Sequence, residues 1–177
     1  MNSKIQALRN QMKAMSLQGM IISNPVNIRY LTDLNAEGTL LITPKDNIFI
    51  TDSRYLEYVN SFLTIDQEIM SYDVKSLNKY DYDAFFAECE NVGFEEGYTT
   101  YEMYKAYLRT YQVNLVETEK IIELHRMVKE ENEIDNIKKA CLITDKCYEY
   151  IKEYIKIGMT EKEIAFEIEK FMKMNGA

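Results

Sequence analysis

The chain has 177 residues, 46% of them hydrophobic and 28% charged, with a formal net charge of −8 and a pI near 4.8. That composition belongs to a folded globular protein and is too apolar for a disordered one. The acidic balance argues against nucleic acid or an anionic membrane surface as the main partner, since both select for clustered Lys and Arg.

Ser3 with Gln6 forms a capping-box pattern, and Ile5, Leu8, Met12 and Met15 follow on one helical face, with Gly19 as the expected stop. Met20-Ile21-Ile22 reads as a short buried strand that ends at Asn24-Pro25, because a residue before proline avoids the α region. Residues 39–43 and 47–51 are apolar runs around Pro44-Lys45-Asp46, which predicts two strands joined by a tight turn. Asp52 and Ser53 can cap a helix over 54–60. Further along, the pattern predicts strands at 67–71, 91–95 and 114–117, and helices at 82–90 and 100–110. Alternating strands and helices point to an α/β domain with a mixed or parallel sheet, spanning 1–118.

Residues 119–177 contain no predicted strand. Ile134, Ile137, Cys141, Thr144, Tyr148, Ile151 and Ile155 recur at helical spacing, forming one stripe about 33 Å long that ends at Gly158. Thr160 with Glu163 makes a second capping box, followed by Ile164, Ile168, Phe171 and Met172 on the next apolar face.

No apolar run approaches the roughly 20 residues of a spanning helix. Residues 1–6 lack the apolar core of a signal peptide. Cys89, Cys141 and Cys147 are odd in number and without C-x-x-C spacing, which suggests a reducing cytoplasm.

The six glycines make no phosphate-binding loop and no nucleophile elbow. His125 is the one histidine, and a lone histidine is usually structural or solvated. Cys141 and Cys147 point to different helix faces and cannot chelate one metal; Cys141, on the stripe, reads as a small buried hydrophobe. The carboxylates alternate with lysines in solvated runs such as 129–133 and 161–163, and Tyr148, Tyr150 and Tyr154 read as packing residues. The residues alone therefore give an α/β domain and a helical segment, with no complete active site.

Two segments carry a resemblance. Asn27-Ile28-Arg29-Tyr30-Leu31-Thr32, followed by Thr51-Asp52-Ser53-Arg54-Tyr55, resembles the N-terminal domain of Xaa-Pro aminopeptidases and prolidases. Arg126-Met127-Val128-Lys129 with Glu133-Ile134, and Gly158-Met159-Thr160-Glu161 through Met174-Asn175-Gly176-Ala177, resemble the helices that open the family's pita-bread catalytic domain. The resemblance implies a mixed β-sheet flanked by helices, ribonuclease H-like, over 1–118. It implies a linker and the first two helices of a truncated catalytic domain over 119–177. It also implies hydrolysis of the bond between a first residue and a following proline, by two divalent metals, commonly Mn²⁺, in the parent enzyme. The ligands of those metals would all lie downstream, leaving no catalytic and no metal-ligating residue, and no cofactor, in these 177 residues. This part would serve homo-oligomerisation, as a dimer, and restriction of substrate access. Asn27 and Tyr30 would lie near the partner's opening, with Asn35 and Glu37 on the loop that leans over it. For Arg54 the structural reading, as a partner for a nearby carboxylate, is preferred to a role at that opening. That loop has Asp33-Leu34 where the family usually has Gly-Phe. Two rival functions share the scaffold: a pure protein-interaction module, and the N-terminal domain of a creatinase-type amidinohydrolase.

Overall fold

Six strands pair into one sheet in the computed structural model, which describes residues 3–63 and 69–177. They are β1 (Gly19–Ile22), β2 (Thr39–Ile42), β3 (Asn47–Thr51), β4 (Ile69–Asp73), β5 (Asn91–Glu95) and β6 (Asn114–Thr118), in the order β4-β3-β2-β1-β5-β6. β2 runs antiparallel to both β1 and β3; every other pairing is parallel. Five strands therefore point one way, and β2 alone is reversed. Its hairpin with β3 closes where Thr43 N–H donates to the Asp46 carbonyl at 2.9 Å. Of the strand expected over 67–71, residues 67 and 68 lie outside the described residues, and β4 begins at Ile69.

Side chains alternate across the pleat, so each central strand feeds two cores. Met20, Ile22, Leu40, Ile42 and Phe49 face a layer made by α1 (Ser3–Ala14), α2 (Pro25–Thr32), α3 (Ser53–Phe62) and α6 (Ile121–Met127). Ile21, Leu41, Ile48 and Ile50 face the other layer, made by α4 (Lys79–Phe85) and α5 (Tyr101–Thr110). Strands covered on both faces are apolar throughout, which is why 39–42 and 47–51 stand out as runs rather than as alternations.

The helix starts follow from polar caps. The Asn24 side chain accepts from Val26 N–H at 3.0 Å with Pro25 next, Asp52 accepts from Arg54 N–H at 2.8 Å, and Thr100 accepts from Met103 N–H at 3.2 Å. Some boundaries differ from the sequence reading, α1 and α4 most clearly. α1 ends at Ala14, and Ser16, not Gly19, takes the left-handed conformation with φ 57°. Gly19 instead opens β1, where a Cβ would lie 2.9 Å from Phe86 Cε1. α4 starts earlier than expected because Asn78 and Asp81 form a capping box.

The chain divides into two compact units, one ending at Met127 and the next beginning at Val128. In the second, α7 (Glu131–Tyr154) packs on α8 (Glu161–Met174). The expected stripe on α7 is largely open: Ile134 is 41% exposed, Ile137 50% and Tyr148 63%. Cys141 is exposed as well, and the buried residues of α7 are Cys147 and Ile151. The phase shifts because α8 meets only the carboxyl-terminal part of α7, where Tyr150 stacks on Phe171 at 4.7 Å and Cys147 Sγ lies 3.9 Å from the Ile168 carbonyl.

Candidate functional site

With five strands pointing one way, their carboxyl ends share one edge of the sheet. The reversed β2 brings its amino end, and so the loop 33–38, to the same edge. The chain switches direction between β1 and β5, and in open α/β sheets this is the crevice where ligands bind. A cavity of about 410 Å³ opens there, lined by Asn24, Glu95, Tyr98, Thr118, Lys120 and Glu123 among others.

Glu95 is the centre of this edge. It is the last residue of β5 and is 6% exposed. Its Oε2 accepts from Ser23 N–H at 2.7 Å and from Asn24 N–H at 2.8 Å, and its Oε1 accepts from Asn27 Nδ2 at 2.6 Å. Burial nonetheless pushes the Glu95 carboxyl up from the usual carboxylate range, against those three donated bonds and with a further push from the Glu123 charge. Ser23 Oγ lies 2.7 Å from the Tyr107 hydroxyl and 3.3 Å from Thr39 Oγ1. It thus engages hydroxyls, not a base. Burial also pushes the Tyr107 hydroxyl up.

The sequence-predicted residues fall into two groups on this edge. Asn27 is fully buried and joins the Glu95 network, donating also to Glu123 Oε1 at 2.6 Å and accepting from Arg126 Nη1 at 3.0 Å. Tyr30, further along α2, is half-buried, with Lys4 Nζ 4.4 Å from its ring centre. Asn35 and Glu37 are exposed on a loop pinned between buried Leu34 and Ala36. The Glu37 carbonyl accepts from Thr51 Oγ1 at 2.6 Å, and its carboxylate meets Arg54 at 3.4 Å. Arg54 also pairs with Asp52 at 2.6 Å and holds that carboxyl below its usual range. The Ser23–Thr39 hydrogen bond joins the turn after β1 to the start of β2, next to the loop 33–38. Sequence reasoning missed Glu95, Glu123 and Ser23. A carboxylate closing the apolar run 92–94 was a signal for Glu95; the other two had none.

Residues 4–128 match the model of the creatinase/prolidase N-terminal domain. The chain belongs to that family. Residues 135–177 match metallopeptidase family M24. The creatinase/prolidase-type chain is 30% identical over 185 residues to the Xaa-Pro dipeptidase of Pyrococcus furiosus, covering 100% of this chain and 50% of the relative. Among solved structures, an Xaa-Pro dipeptidase from Bacillus anthracis is 29% identical with a TM-score of 0.85, over 98% of this chain and 49% of that one. The prolidase from Pyrococcus horikoshii is 25% identical with a TM-score of 0.81, over 99% and 50%. The chain thus spans about half the length of the relatives it matches. The mixed six-stranded sheet flanked by helices is the fold of the matching half. Among the described residues, no three His, Cys, Asp or Glu side chains are grouped so as to hold a metal ion, and no helix is long and apolar enough to cross a membrane.

Proposed function

We propose that this chain is the N-terminal, non-catalytic portion of a cytoplasmic, metal-dependent Xaa-Pro peptidase. The parent would hydrolyse the bond between an N-terminal residue and proline. The observation that carries this reading is the order of the two family matches, 4–128 followed by 135–177. In this reading the domain over 1–118 shapes the carboxyl edge, and the remainder leads into the catalytic domain. The ligands of two divalent ions, manganese by family resemblance, lie in the rest of the parent, where the ions activate water and stabilise the oxyanion. The loop bearing Asn35 and Glu37 faces a partner subunit's opening in a homodimer and limits peptide length. Tyr30 flanks it, and Asn27 contributes by holding the edge from within. The exposure of Asn35 and Glu37 on an anchored loop supports that role.

The test is a paired assay on Xaa-Pro dipeptides and longer Xaa-Pro peptides with Mn²⁺. The 177-residue chain is expected to turn over none, and the parent chain to turn over at least one. Turnover by the 177-residue chain alone overturns the assignment, as does a parent chain that lacks activity on every Xaa-Pro peptide.

A further inference from the structure

Asn27 offers one amide nitrogen to two acids. Its Nδ2 donates to Glu95 Oε1 and to Glu123 Oε1, each at 2.6 Å, while its Oδ1 accepts from Arg126 Nη1 at 3.0 Å. The amide cannot be turned round, since that would set its oxygen against two carboxylates and its N–H groups against a guanidinium. The two acid oxygens therefore sit within twice a hydrogen-bond length of each other. Three elements meet through these side chains: α2 brings Asn27, β5 brings Glu95, and α6 brings Glu123 and Arg126.

α6 has seven residues and buries Ile121 and Ile122. A helix this short is not stable by itself and depends on what seats it. Its seat combines that apolar pair with a junction where two like charges face each other across one amide.

We propose that Glu95, Asn27 and Glu123 form a proton-responsive clasp that seats α6 on the carboxyl edge of the sheet. When Glu95 carries its proton, the junction around Asn27 and Arg126 holds one negative charge fewer, and the seat is tight. When that proton leaves, the two carboxylates repel and α6 loosens. The burial of Glu95 supports this, because it favours the neutral acid in the fold. Relative to an ordinary glutamate at 4.5, the folded chain holds its proton to higher pH. The clasp is therefore tightest below that value and loosens as pH rises above it.

The other groups at the junction are accounted for. Ser23 and Asn24 face Glu95 through their N–H groups, and Tyr107 of α5 reaches it by way of Ser23. Glu96, Glu119 and Lys120 line the adjoining cavity. His125 lies on α6 itself and is the chain's one histidine.

The experiment is amide hydrogen exchange on the 177-residue chain from about pH 4 to about pH 8, corrected for intrinsic exchange, with the β2–β3 amides as internal reference. α6 protection relative to that reference is expected to fall as pH rises above about 4.5. Glu123→Gln is expected to flatten the dependence, and so is Glu95→Gln if it folds; the half-buried Glu123 variant suffices alone. His125→Gln is expected to keep it. Protection of α6 that tracks the reference at every pH overturns the clasp, as does a slope that survives Glu123→Gln or disappears in His125→Gln.

Discussion

The hydroxyls of Tyr107 and Ser23 lie 2.7 Å apart, and their hydrogen bond ties α5 to the turn that follows β1. Tyr107 is 8% exposed, so its hydroxyl has little water to fall back on. Tyr107→Phe is expected to destabilise the first unit by about 1 kcal/mol. In a double-mutant cycle with Ser23→Ala, urea denaturation should return a coupling of about 0.5–1.5 kcal/mol. A coupling of zero would mean that the bond contributes nothing to stability.

Gly38 has no room for a side chain. A Cβ there would lie 2.5 Å from the Ile50 carbonyl oxygen and 2.6 Å from Phe49 Cζ. The oxygen belongs to a central strand and cannot yield. Gly38→Ala is expected to cost about 1–3 kcal/mol, lowering Tm by several degrees. Gly97→Ala, where nothing lies within 4 Å, should leave Tm within a degree or so. Equal melting shifts in the two variants would refute the steric account.

Asn27 serves two carboxylates and one guanidinium. Asn27→Ala removes one bond from each, leaving Glu95 only the Ser23 and Asn24 N–H groups, and is expected to cost about 2 kcal/mol. Asn27→Asp keeps the shape but adds a third acid, and should be worse than alanine near neutral pH. Acidification should narrow the gap, because protonation removes the added charge. Denaturant midpoints at two pH values measure both effects.

The second unit should respond to acid in the opposite sense from the clasp. Glu163 is held below its usual range by Thr160, Glu167 by Lys170 and Tyr150, and Glu169 by Lys173. Carboxylates depressed by folding stabilise it above their ordinary value and stop doing so as pH falls through the folded one. Amide protection in α8 is therefore expected to drop as pH falls below about 4.5, while α6 gains. If α8 protection holds constant down to pH about 3, the Thr160, Lys170 and Lys173 contacts contribute nothing to the helix.

Thiol labelling tests the phase of α7. Cys141 is exposed and Cys147 buried, so a maleimide should modify Cys141 first in the native chain and reach Cys147 only on unfolding. Burial also pushes the Cys89 thiol up, which slows that site by lowering its thiolate fraction. Mass spectrometry of peptides from a time course gives the order.

Much of the sheet was readable because β2, β3 and β5 are buried on both faces and appear as unbroken apolar runs. The helix starts were readable where one residue sufficed, as with Asn24, Asp52 and Thr100. Features set by distant partners were not. Gly19 looks like a helix stop until Phe86 is seen beside it. Which α7 residues are buried depends on where α8 lies, so periodicity alone put Cys141 inside and left Cys147 out. The Asn27 junction joins residues 68 and 96 positions away, and no local pattern encodes such pairings. Family resemblance pointed to Asn27 without revealing what it touches.

The reversal of β2 has an evolutionary consequence. Had all six strands run in parallel, the segment leading into β2 would have emerged on the far side of the sheet. The single turned strand puts it on the same rim as the others. The exposed positions Asn35 and Glu37 can therefore change size or charge while buried Leu34 and Ala36 and the strands beneath stay fixed. Selection can redraw the surface of the rim without reworking the architecture that presents it.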